Sequence, residues 1–376
     1  MTPTPIRDAI ILAAPGDPLR PVARVPLLVR TILALQRAGI ERCTLVGPVR
    51  LPADRRIRCT LSTAPVLAPP ADEALRLVVG PATVIDDALV RDLQTRARPG
   101  QVLEVEEGGA RVRVAPGPLV AGNGGLRMPP RAGTLRAAGA PGVEQALLRG
   151  LENARDGYVD RFLRRRLSRP ITGLLLRTGL SPNLVTLAGT ALGVAGGLTL
   201  GLPGLAAVLA AVLLLEASAL LDCSDGELAR LCHAESRLGH WLDVTGDTAV
   251  HVALLAGIAI RVAHGGDPPG WPVLAVLAAG ILATFAVVTW SEATETRRRR
   301  VAAWENTVLD HVVSPLTTRD WHLFPLAFAL AGRLELLVPA AAAGAHLFWL
   351  AALVLLVRVL RRAPGLTLRG FPGIRG

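Results

Sequence analysis

Hydrophobic and polar positions divide this chain into two regimes. Through the first 140 residues the apolar runs are short and broken by Gly, Pro and charge; from Leu184 onward they lengthen to membrane dimensions. In the first regime AIILAA (9–14), RCTLVG (42–47) and LRLVVG (75–80) read as buried strands. VPLLVRTILALQRAG (25–39) and DDALVRDLQTRA (86–97) have helical spacing instead. Strands alternating with helices predict an α/β sheet. QVLEVEEGGARVRVAPG (101–117) predicts a hairpin turning at Gly108-Gly109, followed by an irregular stretch at 121–133. A helix from about Val143 to Leu167 is then expected, ending in an Arg cluster and lying along a membrane surface.

In the second regime Ser181 and Pro182 form a helix start, an N-cap followed by proline in the first turn. Apolar runs follow at Leu184–Leu202, Leu205–Leu221, Trp241–Val262, Trp271–Trp290, Leu323–Val338 and Ala340–Val357. A spanning helix needs roughly 20 such residues. The fifth run is the weakest, being short and carrying Arg333 and Glu335. The pattern predicts an all-α, six-span transmembrane domain behind an α/β head.

Charge orients this layout. The formal net charge is +11 and all 41 basic residues are arginine. Three clusters, RFLRRR (161–166), RRRR (297–300) and RVLRR (358–362), abut apolar segments, while the opposite connections are short and poor in Arg. That asymmetry places the clusters, both chain ends and the head on the cytoplasmic side, with the clusters on anionic headgroups. Nucleic acid is the weaker reading of these clusters and is not expected as a partner, because one Tyr and six Phe leave no aromatic platform beside the arginines. Cys43, Cys59, Cys223 and Cys232 lack paired spacing and are expected as free thiols. The first 30 residues lack the form of a cleaved leader.

The stretch DCSDGELARLCHAESRLGHWLDVTGD (222–247) puts four aspartates between two spans, where carboxylates are costly. At 100° per residue, Asp222, Asp225, Gly226 and Ala229 share an arc of about 100° on one helix. On the next helix Gly239, Asp243 and Asp247 stand at i, i+4 and i+8, one stripe. If the stripes face each other, four carboxylates converge, and they stay ionised together only with cations. Hard divalent ions with oxygen ligands, Mg²⁺ above all, resolve the charge, and a pair of them can clamp a phosphoryl transfer. Arg230 adds a fork suited to phosphate.

The string D-x2-D-G-x2-A-R-x8-G-x3-D-x3-D resembles, without departure, the signature of the CDP-alcohol phosphotransferases. The resemblance runs from about Ser181 to Arg362 and includes SPNLVT. It implies a homodimer in which an alcohol attacks a CDP-linked donor and CMP leaves. It further implies that Asp222, Asp225, Asp243 and Asp247 bind two Mg²⁺ per site, with Mn²⁺ as the alternative, and that Asp247 is the base for the acceptor hydroxyl. Asp222, Gly226, Ala229 and Arg230 would line the CDP site, with Gly239 permitting close approach. Donors of the CDP-diacylglycerol or CDP-inositol type and a small or phosphorylated alcohol acceptor are expected, in the inner cell membrane. Arg319 is the candidate acceptor contact, and Glu216, mid-span, is expected to pair inside the bundle or in a dimer interface. His233, His240 and His251 are assigned packing or surface roles, since Mg²⁺ does not need imidazole.

The head resembles a sugar-phosphate nucleotidyltransferase, a Rossmann-like fold, that has lost its chemistry. Pro15 stands where a loop glycine is expected, Leu27 where a lysine is, and Pro81 where a metal-binding aspartate is. Asp17, Asp86 and Asp87 remain as residual acids. The domain order resembles bifunctional enzymes that activate inositol phosphate to its CDP form and then condense it. Expected boundaries are 1–140 for the head, 141–180 for a linker and juxtamembrane helix, 181–362 for the transferase domain and 363–376 for a tail. Two alternatives stay open: a membrane prenyltransferase, whose acidic motifs lie on distant helices, and a non-catalytic nucleotide-sensing membrane protein.

Overall fold

The structure, a computed structural model, describes residues 6–13, 20–66, 74–117, 125–130, 132–151, 164–264, 271–298, 304–309, 324–331, 333 and 336–362. The chain divides into two compact units. One comprises Met1–Glu152 with Thr172–Gly179 and Glu227–Glu235; the other comprises Asn153–Ile171, Leu180–Gly226 and Ser236–Gly376.

The head is built on a seven-stranded mixed sheet. Its strands are β1 (Asp8–Leu12), β4 (Arg42–Val46), β5 (Thr60–Ala64), β6 (Leu75–Val79), β8 (Leu103–Glu107), β9 (Ala110–Pro116) and β10 (Leu126–Arg127), in the order β10-β8-β9-β6-β1-β4-β5. β1 pairs in parallel with β4 and β6, and β4 with β5, so this parallel set reads 3-2-1-4, with the strand order reversing between β1 and β6 as in a doubly wound sheet. The expected hairpin is present: β8 and β9 pair antiparallel across Gly108-Gly109, with Glu104 opposite Arg113. Small pairs complete the head: β2 (Pro21–Val22) with β3 (Val25–Pro26), and β7 (Thr83–Ile85) with β11 (Leu135–Ala137).

Parallel strands are buried on both faces and so read as unbroken apolar runs. Ala9, Ile11, Leu45, Leu77 and Val79 accordingly pack with Ile32 and Leu35 of α1 (Leu27–Arg37) and Leu89 and Leu93 of α2 (Asp87–Arg96). Asp86 is the N-cap of α2, its side chain accepting from the Leu89 amide at 2.9 Å.

Of the helix expected over 143–167, the described residues show α3 (Val143–Arg149), which stops at Gly150, and α4 (Arg165–Thr178), which continues past Leu167 with Pro170 inside it, while 152–163 lie outside the described residues. Gly150 weakens continuation of the first. Pro170 lies inside α4, where it removes one helical amide donor.

In the second unit, α5 (Pro182–Thr199) starts as expected, with Ser181 Oγ accepting from the Leu184 amide. Beyond it run α6 (Leu205–Leu231), α7 (Arg237–His264) and α8 (Trp271–Ala293), and the last helix of the described residues is Leu337–Arg362. These last four are long and apolar enough to cross a membrane. The expected first span corresponds to α5, which is not among the four, and most of the expected fifth lies outside the described residues. Small residues set the helix spacing. Gly193 and Gly197, one turn apart on α5, and Gly201, just past its end, let α7 approach to backbone distance.

α6 ends without glycine. His233 occupies the left-handed position (φ 50) that closes the helix, the Ala234 amide reaching the Ala229 carbonyl at 2.8 Å and the His233 amide reaching Arg230 at 3.2 Å. Burial first, and then the guanidiniums of Arg37, Arg30 and Arg56, hold the His233 imidazole down to about 3, with Asp54 pulling weakly the other way.

Two outcomes are expected. In Gly197→Ala a β-carbon would lie 2.6 Å from the Leu254 nitrogen and 2.8 Å from the Ala253 carbonyl carbon. Overpacking of this kind costs about 1–3 kcal/mol, read as a lower thermal midpoint in detergent. The His233 pKa is lower folded than the roughly 6.5 of a free imidazole. Its contribution to stability is therefore fully present above pH of about 6.5 and lost as pH falls toward about 3. His233→Asn, which tolerates the left-handed backbone, should flatten that slope in thermal midpoints measured across pH.

Candidate active site

The second unit brings α5, α6 and α7 together around one acidic cleft. Its walls are Thr186, Gly189 and Thr190 of α5, Ser218 and Asp222 of α6, and Asp243, Asp247 and Val250 of α7. Gly189 lets the helices close on each other: a β-carbon there would stand 3.3 Å from Leu221 Cβ and 3.8 Å from the Asp222 nitrogen. Gly239 serves similarly at the start of α7, where a β-carbon would come within 3.0 Å of Asn183 Oδ1.

Asp222, Asp243 and Asp247 each offer a carboxylate oxygen, and these lie within 4.8 Å of one another. The sequence stripes therefore do face each other for three of the four acids. Asp225, one turn further along α6, is 7% exposed and lies outside this trio. Three carboxylates this close repel strongly when ionised. An all-oxygen donor set, with one face open at the exposed Asp243, fits a hard divalent cation that keeps part of its coordination free for substrate.

Gly226 ends the part of α6 that belongs to this unit, whereas Ala229 and Arg230, on the helix's last turn, belong to the head unit. Arg319 lies outside the described residues. Of the three histidines, His240 is exposed, His233 closes α6, and His251 pairs its Nδ1 with the Asp247 carbonyl at 2.6 Å, so none stands among the carboxylates.

The hydroxyls of Thr186, Thr190 and Ser218 were not anticipated. In apolar helices Ser and Thr commonly bond back to their own helix and so carry no signal in sequence; Thr186 does bond the Pro182 carbonyl at 3.1 Å. Glu216 is neutralised within its unit: Arg164, 1% exposed, donates to it through Nε at 2.9 Å and Nη2 at 2.8 Å. This two-pronged geometry matches a carboxylate and satisfies an acid that would be costly alone in an apolar helix.

Comparison with known proteins bears on the same region. Residues 180–357 match the family model described as CDP-alcohol phosphatidyltransferase. A phosphatidylinositol phosphate synthase of Mycolicibacterium smegmatis is 37% identical over 131 residues, covering 34% of this chain and 55% of that protein. A bifunctional IPC transferase and DIPP synthase of Thermococcus kodakarensis is 35% identical over 123 residues, covering 33% of this chain and 27% of its own. The chain thus spans little more than half the length of the first of these and about a quarter of the second. Among solved structures, the phosphatidylinositol phosphate synthase of Mycobacterium tuberculosis with CDP-DAG bound is 24% identical, covers 53% of this chain and 96% of its own, and has a TM-score of 0.34. The same protein in complex with manganese and citrate is 22% identical, covers 53% and 90%, and has a TM-score of 0.33. The full signature between Asp222 and Asp247 and the acidic cleft both lie inside residues 180–357, the stretch that matches the CDP-alcohol phosphatidyltransferase family model.

Proposed function

We propose that the domain transfers a substituted phosphoryl group from a CDP-linked donor to an alcohol, releasing CMP, in phospholipid or inositol-phosphate synthesis. The observation that carries this reading is the meeting of Asp222, Asp243 and Asp247 within 4.8 Å, inside the region that matches the family model. Asp222, Asp225, Asp243 and Asp247 would hold two divalent ions, Mg²⁺ or Mn²⁺. When bound, such ions offset the charge of the diphosphate as the bond to CMP breaks.

The remaining work falls to the chain's own residues. Asp247 accepts the proton of the attacking hydroxyl. Gly226, Ala229 and Gly239 leave room for the nucleotide, and Arg230 donates to phosphate. Thr186, Thr190 and Ser218 line the cleft with hydroxyls able to orient an acceptor or a phosphate oxygen. The names of the relatives favour a phosphorylated inositol as acceptor and a CDP-diacylglycerol or CDP-inositol type donor. Arg319 is the acceptor contact in this reading.

The rest of the proposal follows the hydropathy and charge pattern. The protein is an inner-membrane homodimer with six spans over 181–362, its acidic cleft and head facing the cytoplasm. The head, over residues 1–140, is a nucleotidyltransferase-like domain without catalytic activity, followed by a linker to 180 and, after the transferase domain, a tail from 363. The 3-2-1-4 parallel order supports a Rossmann-like head. The engagement of Asp86 in capping α2 is consistent with a structural role for that acid.

Asp247→Asn should lower CMP release by roughly a hundredfold or more in a purified-protein assay with CDP-diacylglycerol, Mg²⁺ and inositol phosphate. Asp222→Asn and Asp243→Asn should weaken Mn²⁺ binding followed by electron paramagnetic resonance. Undiminished turnover in the Asp247 variant would sink the assignment.

A further inference from the structure

We infer that the head acts as a clamp on the last turn of α6, with Arg30 and Arg56 as positioning residues for Arg230. The inference rests on the functional reading above, in which Arg230 meets the donor's phosphate.

Backbone bookkeeping at the end of α6 carries the argument. The carbonyls of Leu228, Ala229 and Arg230 accept from the amides of Cys232, Ala234 and His233 at 2.9, 2.8 and 3.2 Å. The next three carbonyls have no helical donor left to meet, and side chains of the head meet all of them. Arg30 Nη2 donates to Leu231 O. Arg56 Nη1 donates to Cys232 O at 3.0 Å and to His233 O at 3.2 Å. Each carbonyl from 228 to 233 therefore has a donor, half of them supplied by two guanidiniums.

Both arginines are themselves fixed. Arg30, on α1 and 3% exposed, also donates to Val22 O through Nε and Nη2 at 3.1 and 3.0 Å. Asp54 grips Arg56 through both oxygens, at 2.9 Å to Nε and 2.7 Å to Nη2. Arg37 of α1 pairs with Glu235 just beyond the turn. The α4 segment of the same unit braces the neighbouring residue of α6, since Thr172 Oγ1 lies 2.7 Å from Oε2 of Glu227, which is 1% exposed. Arg24 in turn holds the α4 carbonyl of Leu176 at 2.7 Å.

The electrostatics and the backbone strain agree with a clamp. A helix C-terminus carries partial negative charge, so guanidiniums there are favourable. A non-glycine residue at φ 50 persists only where its surroundings over-determine it. Helix ends otherwise fray, and Arg230 stands one residue before the last of α6. Loss of about 1 Å in placement can cost about a hundredfold in rate. A phosphate ligand on the final turn of a helix therefore gains from an external brace. This assigns the head a task that needs no intact nucleotide loop.

The test uses the full chain in detergent, with Arg30→Ala, Arg56→Ala and the conservative Arg56→Lys. Hydrogen exchange at Cys232, His233 and Ala234 should speed up by about tenfold or more in the alanine variants and less in Arg56→Lys. The donor KM for CMP release should rise by about tenfold with a smaller change in kcat, again with partial rescue by lysine. Unchanged exchange overturns the clamp; faster exchange with an unchanged KM overturns the positioning of Arg230. A wild-type protein that releases no CMP with any CDP donor refutes the functional reading instead, and the exchange arm still decides the clamp. Should an alanine variant aggregate on gel filtration, Arg56→Lys carries the same comparison.

Discussion

Repulsion among like charges is the constraint on which this molecule turns. Oxygens of Asp222, Asp243 and Asp247 stand within 4.8 Å of one another, a spacing that is unfavourable in an ionised trio without compensation. Holding them there requires helices that cannot slide. α5 and α7 supply that rigidity through glycines that bring their backbones into contact, so packing specificity and site geometry come from the same residues. Stability is thus committed to keeping negative charge concentrated in one cleft.

The two units use arginine in different ways. In the helical unit the buried Arg164 neutralises one half-buried acid through two parallel hydrogen bonds. In the head unit, Arg30 and Arg56 address backbone carbonyls, Arg56 while held by Asp54, and so finish a helix that the chain ends with histidine in place of glycine. A planar fork with several fixed donors suits both tasks, and an ammonium would serve each less well.

Much of this was legible in sequence. Apolar runs announced β1 and β6, which are buried over most of their length, whereas β4 alternates buried and less buried positions around Thr44. β5 went unread: TLSTA is half exposed at the sheet's edge and has no apolar run. The break at Gly150 was passed over because the flanking residues keep helical spacing on either side. The acidic stripe was readable because i, i+4, i+8 spacing fixes a helix face whatever the tertiary context. Arg30 and Arg56 were invisible for the opposite reason. Among 41 arginines no local pattern separates a buried helix cap from a solvated charge, and their partners lie about 200 and 175 residues away in the chain.

The Arg164–Glu216 pair also bears on how the protein is made. An isolated ionised acid at the centre of an inserting helix costs about 3 kcal/mol, and α6 carries one in its first half. Its partner lies upstream, so it leaves the ribosome first and is available when α6 reaches the bilayer. Chain order therefore delivers the arginine before the acid it accompanies.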